Sequence, residues 1–332
     1  MVKENIVIKP ADDGTTHTPS SSNWQALKDA LRGTEADYTK IGLNRAVFLL
    51  AVPMVLEFVL EATFALVDIY FVGKLGSSAQ ATVGLTETYL FLLYSLAMGL
   101  ATGITAIIAR RIGEKKKEEA QSAAVQAIFI GVLVSIPFSI AGIFFAKDLL
   151  GLMGGDDWVI NHGYRFTQWL LGGNVVIVLL FVINAIFRGA GDAAIAMRVL
   201  WIANAINIVL CPILIFGWGP IPALGIEGSA IATTIGRGTG VLIQLWSLFK
   251  VGKHIRIAFS QLYLDAKILT DIVRTSLGGV GQMIVAMTSW IFLARILADI
   301  GTEAVAGSTV VIRIMMFTMM PAWGLSNAAA TL

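Results

Sequence analysis

An all-α polytopic membrane protein is the fold class this sequence predicts, and three observations predict it. The 332-residue chain is 56% hydrophobic and 14% charged, with a mean hydropathy of +0.78; a soluble domain carries about 25% charged residues. Eight apolar runs follow one another at roughly 45–73, 83–110, 120–146, 159–187, 194–217, 226–250, 269–298 and 305–332. Each reaches the length of about 20 residues that a helix needs to cross a bilayer, and none shows the strict alternation of a barrel strand. Positive charge also alternates between successive connections, as it does when loops lie on opposite sides of a membrane.

In chain order, the first 43 residues read as a polar cytoplasmic tail followed by a short interfacial helix. Lys9 to Ser22 is rich in Asp, Thr, Ser and Pro, a composition that cannot bury a core. Trp24, Leu27 and Leu31 then recur at helical spacing, and Ser22 with Gln25 resembles a capping box. A helix over Asn23 to Arg32, lying at the membrane surface, is expected. No signal peptide is expected, because the first apolar run is long enough to span and is preceded by a long polar stretch.

Short breaks separate the runs. The first are Gly73-Lys74-Leu75-Gly76 and Gly113 to Glu119; Gly154-Gly155-Asp156-Asp157 and Gly217-Trp218-Gly219-Pro220 follow later. The connection after run 2 carries Arg110, Arg111, Lys115, Lys116 and Lys117. The one after run 4 carries Arg188 and Arg198, and the one after run 6 carries Lys250, Lys253, Arg256 and Lys267. The intervening connections carry Lys74 alone, Lys147 alone, or no positive charge. This places the N-terminus in the cytoplasm of a multi-pass protein of the cell membrane.

Run 7 onward echoes run 1 onward at an offset of 225 residues. Leu75-Gly76 faces Ile300-Gly301, Ala79 and Ala81 face Ala304 and Ala306, and Ala97, Gly99 and Leu100 face Ala322, Gly324 and Leu325. Six spans lie in one period, so the two copies run parallel, as in transporters whose path lies between two halves. The expected organisation is a tail at 1–43, an N-lobe of six spans at 44–250, a cytoplasmic linker at 251–268, and the start of a C-lobe at 269–332. The last run ends without a closing polar segment, so a copy truncated after span 8, and inactive as such, is one expectation.

Ala51-Val52-Pro53 through Leu66-Val67-Asp68-Ile69-Tyr70-Phe71-Val72-Gly73, followed by Leu75-Gly76, resembles the opening helix of the multidrug and toxic compound extrusion (MATE) family. So do Asn184 to Asp192 (NAIFRGAGD), Asn207-Ile208-Val209-Leu210, Ile215-Phe216-Gly217 and Leu224 through Thr233 (LGIEGSAIAT). The resemblance covers nearly all of 44–332 and is closest to the DinF-like branch. It implies a twelve-helix fold of two six-helix lobes, here a complete six-helix N-lobe plus the first two helices of the C-lobe. It also implies export of drugs or other amphipathic, often cationic compounds, coupled to inward flow of H⁺ or Na⁺.

Ionisable groups inside a membrane are costly and commonly face a cavity. Run 1 carries Glu57, Glu61 and Asp68, which at about 100° per residue fall within roughly 40° on one helix face. For Glu57 and Glu61 the alternative is a partner on a neighbouring helix, and spacing does not choose between the two. For Asp68 the resemblance implies the coupling-ion role. The repeat adds an independent argument, since the equivalent position is Leu293 and the fold therefore does not require a carboxylate there. Asn204, Asn207 and Cys211 share a face of run 5. In sodium-binding relatives an Asn, an Asp four residues later and a Thr of the next helix join the first Asp. Asn207 and Thr233 match, but Cys211 stands where the second Asp would be. A neutral thiol is a poor Na⁺ ligand, so a proton on Asp68, hydrogen-bonded by Asn207, is favoured over Na⁺ bound near Asp68 and Asn207.

Substrate-cavity candidates are Glu57, Glu61, Asn204, Gln282, Met315 and Met319, the methionines for their adaptable packing. Glu87, Arg237, Gln282, Arg295 and Arg313 are expected to pair with one another or to snorkel, and Arg188 and Asp192 to shape a turn. No cofactor beyond the coupling ion is expected. The expected partners are small organic substrates and membrane lipids, not nucleic acid, for a chain acting as a monomer. The rival function is a flippase of lipid-linked oligosaccharide, which the acidic first span disfavours. An intramembrane enzyme is disfavoured because no His pair, GxSxG or HExxH occurs.

Overall fold

The structure, a computed structural model, describes residues 23–33, 41–251, 255–257, 263–300, 315, 319 and 321–331. Its elements are α1 (Asn23–Arg32), α2 (Leu43–Gly73), α3 (Ser77–Gly113), α4 (Lys117–Leu152), a π-turn (Val159–Gly163) leading into α5 (Tyr164–Gly172), α6 (Val175–Gly189), α7 (Ala193–Phe216), α8 (Ile226–Trp246) and α9 (Ala266–Ile300). Residues 321–331 are helical as well. The helix expected over Asn23 to Arg32 is α1; Ser22 of its expected cap lies outside the described residues.

Five segments are long and apolar enough to cross a membrane: Leu43–Gly73, Ser77–Gly113, Lys117–Leu152, Val159–Gly189 and Ala193–Phe216. They coincide with runs 1 to 5. α8 and α9 stand where runs 6 and 7 were expected but carry more polar residues, among them Glu227, Thr233, Arg237, Asp271 and Arg274. Most of run 8 lies outside the described residues. The expected eight spans thus become five on apolarity among the described residues, with two further long helices beside them.

Run 4 reads as one continuous helix in sequence, yet the chain breaks between α5 and α6 at Gly173-Asn174. The buried Asn174 amide donates to Ser135 O at 3.2 Å, Ser139 Oγ at 2.9 Å and Leu171 O at 2.5 Å. A short polar side chain that bonds backbone carbonyls competes with the helical ladder. At the end of α6 the Arg188–Asp192 turn passes through Gly191 at φ +82°, a conformation that glycine adopts at no steric cost. Asp192 then caps α7, its Oδ1 accepting from Ile195 N at 3.4 Å.

α2 packs on α7 and α1, with α3 and α8 at its flanks. α3 packs on α4, α6 and α9, and α7 lies along α8. Phe166, Phe187, Leu93 and Ile104 are fully buried in the bundle, while Phe144, Leu242 and Leu66 face outward. Buried polar residues include Glu57, Asn184, Arg188, Asn204, Asn207 and Arg237. An apolar exterior around polar interior groups is the arrangement a hydrocarbon solvent selects. Beyond α8, Ile255 and Ile257 are buried. Ile257 N donates to Leu248 O at 2.9 Å, and the Gln121 and Gln126 amides of α4 donate to Arg256 O and Tyr263 O, each at 2.6 Å. The described part of the 251–268 linker is therefore tied to the bundle, and α9 begins inside that range.

The 225-residue offset reappears in space. Gly99 of α3 abuts Val280 of α9, so close that an added Cβ would stand 2.6 Å from Val280 N. Gly324 abuts Val55 of α2, where a Cβ would stand 2.9 Å from Val55 N. Val55 and Val280, like Gly99 and Gly324, are 225 residues apart. Gly103 meets Ser276 in the same way, and their equivalents Ala328 and Ala51 share one buried cluster with Leu50, Met54 and Ala193. Small residues here let backbones touch, which is how helices associate without a hydrophobic driving force. Gly99→Val is expected to destabilise the protein by about 1–3 kcal/mol, because the added atoms meet backbone and cannot be accommodated by a rotamer change. Gly84→Ala, whose methyl meets nothing within 4 Å, should be neutral. Thermal unfolding in detergent checks both.

Candidate functional site: the polar face of α2

The three carboxylates of α2 do share a face, spread over about 16 Å at 1.5 Å per residue, and each meets a different environment. Glu57 is buried; its Oε1 accepts from Arg188 Nη1 at 3.2 Å and from Asn184 Nδ2 at 3.1 Å. Asn184 Oδ1 in turn accepts from Gln244 Nε2 of α8 at 2.5 Å. Glu61, one turn on, is held by Arg237 of α8, with Nη2 to Oε1 at 2.5 Å. Arg237 also lies over the Phe64 ring, 5.3 Å from its centroid, so the guanidinium is clasped by two α2 side chains. Pairing of this kind offsets the large cost of removing each charge from water.

Asp68 is different. Its Oδ1 accepts from Ser229 Oγ at 2.6 Å and from Cys211 Sγ at 3.5 Å. Both donors are neutral, and among the described residues no ion pair involves Asp68. Asn207 makes no hydrogen bond to Asp68 here; its Nδ2 donates to Thr233 Oγ1 at 3.0 Å. Ser229, one turn before Thr233 on the same face of α8, supplies the hydroxyl that reaches Asp68. Asn207 Oδ1 is buried without a partner, and Asn207 stands one helical turn from Cys211 on α7. Asn204 belongs to the same face and donates to Leu60 O of α2 at 3.4 Å.

The remaining candidates lie on α9 and beyond it. Gln282 is exposed on α9, which packs on α3 and α4 rather than on α2. Met315 and Met319 are exposed. Arg313 lies outside the described residues, as does the Arg295 side chain. Among the described residues no three His, Cys, Asp or Glu side chains converge as a metal centre would require.

Sequence reasoning missed three contributors. Ser229 was passed over for the nearest threonine. Arg188 was read as part of a turn, and Arg237 as a cation that pairs with Glu87 or another of its group, or snorkels, rather than as the partner of Glu61. A signal existed: Ser229, Thr233 and Arg237 recur every four residues, as do Asn184 and Arg188, and such spacing aligns side chains on one helix face.

The chain matches the MatE family model over residues 53–213. It is 30% identical over 298 residues to the probable multidrug resistance protein YoeA of Bacillus subtilis (strain 168), covering 88% of this chain and 64% of that protein. To the probable multidrug resistance protein NorM of Thermotoga maritima it is 26% identical, covering 87% of this chain and 62% of that one. It thus spans less than two thirds of the length of these curated relatives. A solved MOP superfamily transporter from Pyrococcus furiosus, described as having a binding pocket of reverse polarity, superposes with a TM-score of 0.79 at 28% identity, over 92% of this chain and 66% of that one.

Removing one partner of a buried ion pair leaves an uncompensated charge, at a cost of about 3–5 kcal/mol. Arg188→Met is expected to destabilise by that order, and Glu57→Gln added to it should recover part of the loss. Chemical unfolding of both variants in micelles measures the difference.

Proposed function

The chain belongs to the multidrug and toxic compound extrusion (MATE) family, and from that premise we propose that it serves as an antiporter. It exports drugs or other amphipathic, often cationic compounds in exchange for an inward-moving coupling ion, and the coupling ion is the proton. The names of the relatives, probable multidrug resistance proteins, support the cargo class. In this reading the protein lies in the cell membrane with its N-terminus in the cytoplasm, as the charge of its connections favours.

One observation carries the assignment of the coupling residue. Of the three α2 carboxylates, Glu57 and Glu61 are each paired with an arginine, whereas the hydrogen bonds to Asp68 come from the neutral donors Ser229 and Cys211. A paired carboxylate has little reason to exchange a cation, since its charge is already compensated. An unpaired one in apolar surroundings is the group whose charge is most costly, and a bound proton or cation relieves that cost. Binding of the proton adds an O–H that needs an acceptor, and the partnerless Asn207 Oδ1 is such an acceptor on the adjoining helix face. Na⁺ requires several hard oxygens, and Cys211 occupies one of the positions from which an oxygen would come.

Asp68→Asn in the intact protein, reconstituted in liposomes, is expected to abolish cation efflux while leaving insertion and thermal stability near wild type. Efflux should follow an imposed pH gradient and ignore a Na⁺ gradient at constant pH. Retained transport by the Asn variant would overturn Asp68 as the coupling residue, and Na⁺-driven efflux would overturn the proton.

A further inference from the structure

Counting charges along the facing helices α2 and α3 leaves an asymmetry that the coupling mechanism does not use. Glu61 and Arg237 cancel, but their contact is incomplete: Glu61 Oε2 and Arg237 Nε and Nη1 are buried with no partner. Arg237 is 95% removed from solvent, at 5% exposure, while the Glu61 side chain keeps 33%. On α3, Glu87 makes no ion pair among the described residues, is exposed, and lies within electrostatic reach of Asp68. α3 packs against α2, and α8 meets α2 through Arg237 at Glu61 and through Ser229 at Asp68. Arg188 of α6 belongs to the same stripe and is held by Glu57.

We propose that Arg237 is a specificity-determining residue: by neutralising Glu61 it leaves Asp68 and Glu87 as the unpaired carboxylates of this face, one for the coupling proton and one for a cargo bearing a single positive charge. The inference rests on the antiport reading above. An ion pair at this position costs desolvation and leaves three polar atoms unsatisfied, an expense a leucine or glutamine would avoid. What the arginine adds is a fixed limit on negative charge. Without it Glu61 becomes a third unpaired carboxylate, two helical turns from Asp68, and the face attracts a second positive charge on the cargo.

Two phenanthridinium dyes of closely similar shape test this, ethidium with one permanent charge and propidium with two. Binding of each to the purified intact protein at pH 8 is followed by fluorescence. Wild type should prefer ethidium. Arg237→Gln should shift the ratio toward propidium on the order of tenfold, as one added charge at about 10 Å in an effective dielectric near 20 requires. Arg237→Lys should keep the wild-type ratio, and Glu61→Gln combined with Arg237→Gln should restore it. Glu87→Gln should weaken both dyes. If Arg237→Gln does not fold, the charge-free double variant and Glu61→Gln alone decide. The double variant must keep the wild-type ratio, and Glu61→Gln must lose propidium more than ethidium because Arg237 is then unopposed. A dye ratio indifferent to Arg237 and Glu61, with binding intact, overturns this role and leaves the antiport reading standing. A wild type that binds neither dye overturns the cation-exporting reading itself.

Discussion

Three carboxylates on one face of α2, inside a bundle whose exterior is apolar, are the constraint to which the neighbouring helices answer. A lone charge in such surroundings is costly enough that the fold must supply a partner or leave the group to bind one. Arg188 and Asn184 from α6 meet Glu57, Arg237 from α8 meets Glu61, and only neutral groups from α7 and α8 meet Asp68. The second layer follows from the first. Gln244 bonds Asn184, Thr233 bonds Asn207, and the packing of α7 along α8 holds both helices at the register those contacts need. Breaking the charge pairing at one level would therefore loosen side chains on several helices, which makes the polar face a structural element of the bundle.

The apolar runs and their order were legible in the sequence because hydropathy and length are local properties. Helices α2 to α7 fall where runs 1 to 5 were read, and α1 spans the residues its spacing indicated. The break inside run 4 was not legible, because Asn174 breaks the helix through carbonyls and a hydroxyl on α4 that no local pattern reveals. At the site, Asp68 was singled out through the family resemblance and through its absence from the repeat. Of the residues grouped with it, Cys211 does meet Asp68, while Ser229 was missed for a geometric reason. The choice of Thr233 over Ser229 depended on which turn of α8 lies opposite Asp68, and that is set by the packing of α8 on α7. A partner on a neighbouring helix was among the readings for Glu57 and Glu61, but which cation meets which carboxylate was not legible, since the pairs join residues 131 and 176 positions apart.

The repeat separates what the fold needs from what the polar face adds. At one close contact the residue types are kept across the 225-residue offset, glycine at 99 and 324 and valine at 55 and 280, and at the other, Gly103 and Ser276, they become the small residues Ala328 and Ala51. Residue types on the charged face are not kept. Glu57, Glu61 and Asp68 become Gln282, Ala286 and Leu293, and α9 stands without a carboxylate at any of the three. The repeat therefore does not itself call for a carboxylate at these positions, and burial makes each of them expensive.

Two of the three carboxylates are also paired with arginines. If the face were built only to attract cations, arginines at 188 and 237 would work against it. If it were built to hold anionic lipid-linked cargo, the glutamates would work against the arginines. On the antiport reading proposed above, the pairing limits the charge of the face to what one proton and one cationic group can balance. Exchange requires binding that can be reversed when the other ligand arrives, and an ion pair beside the exchanging carboxylate restrains the field without occupying it. Phe64, stacked on Arg237, fixes the guanidinium on the Glu61 side of the stripe, and Asp68 is left as the carboxylate of α2 that no arginine pairs among the described residues.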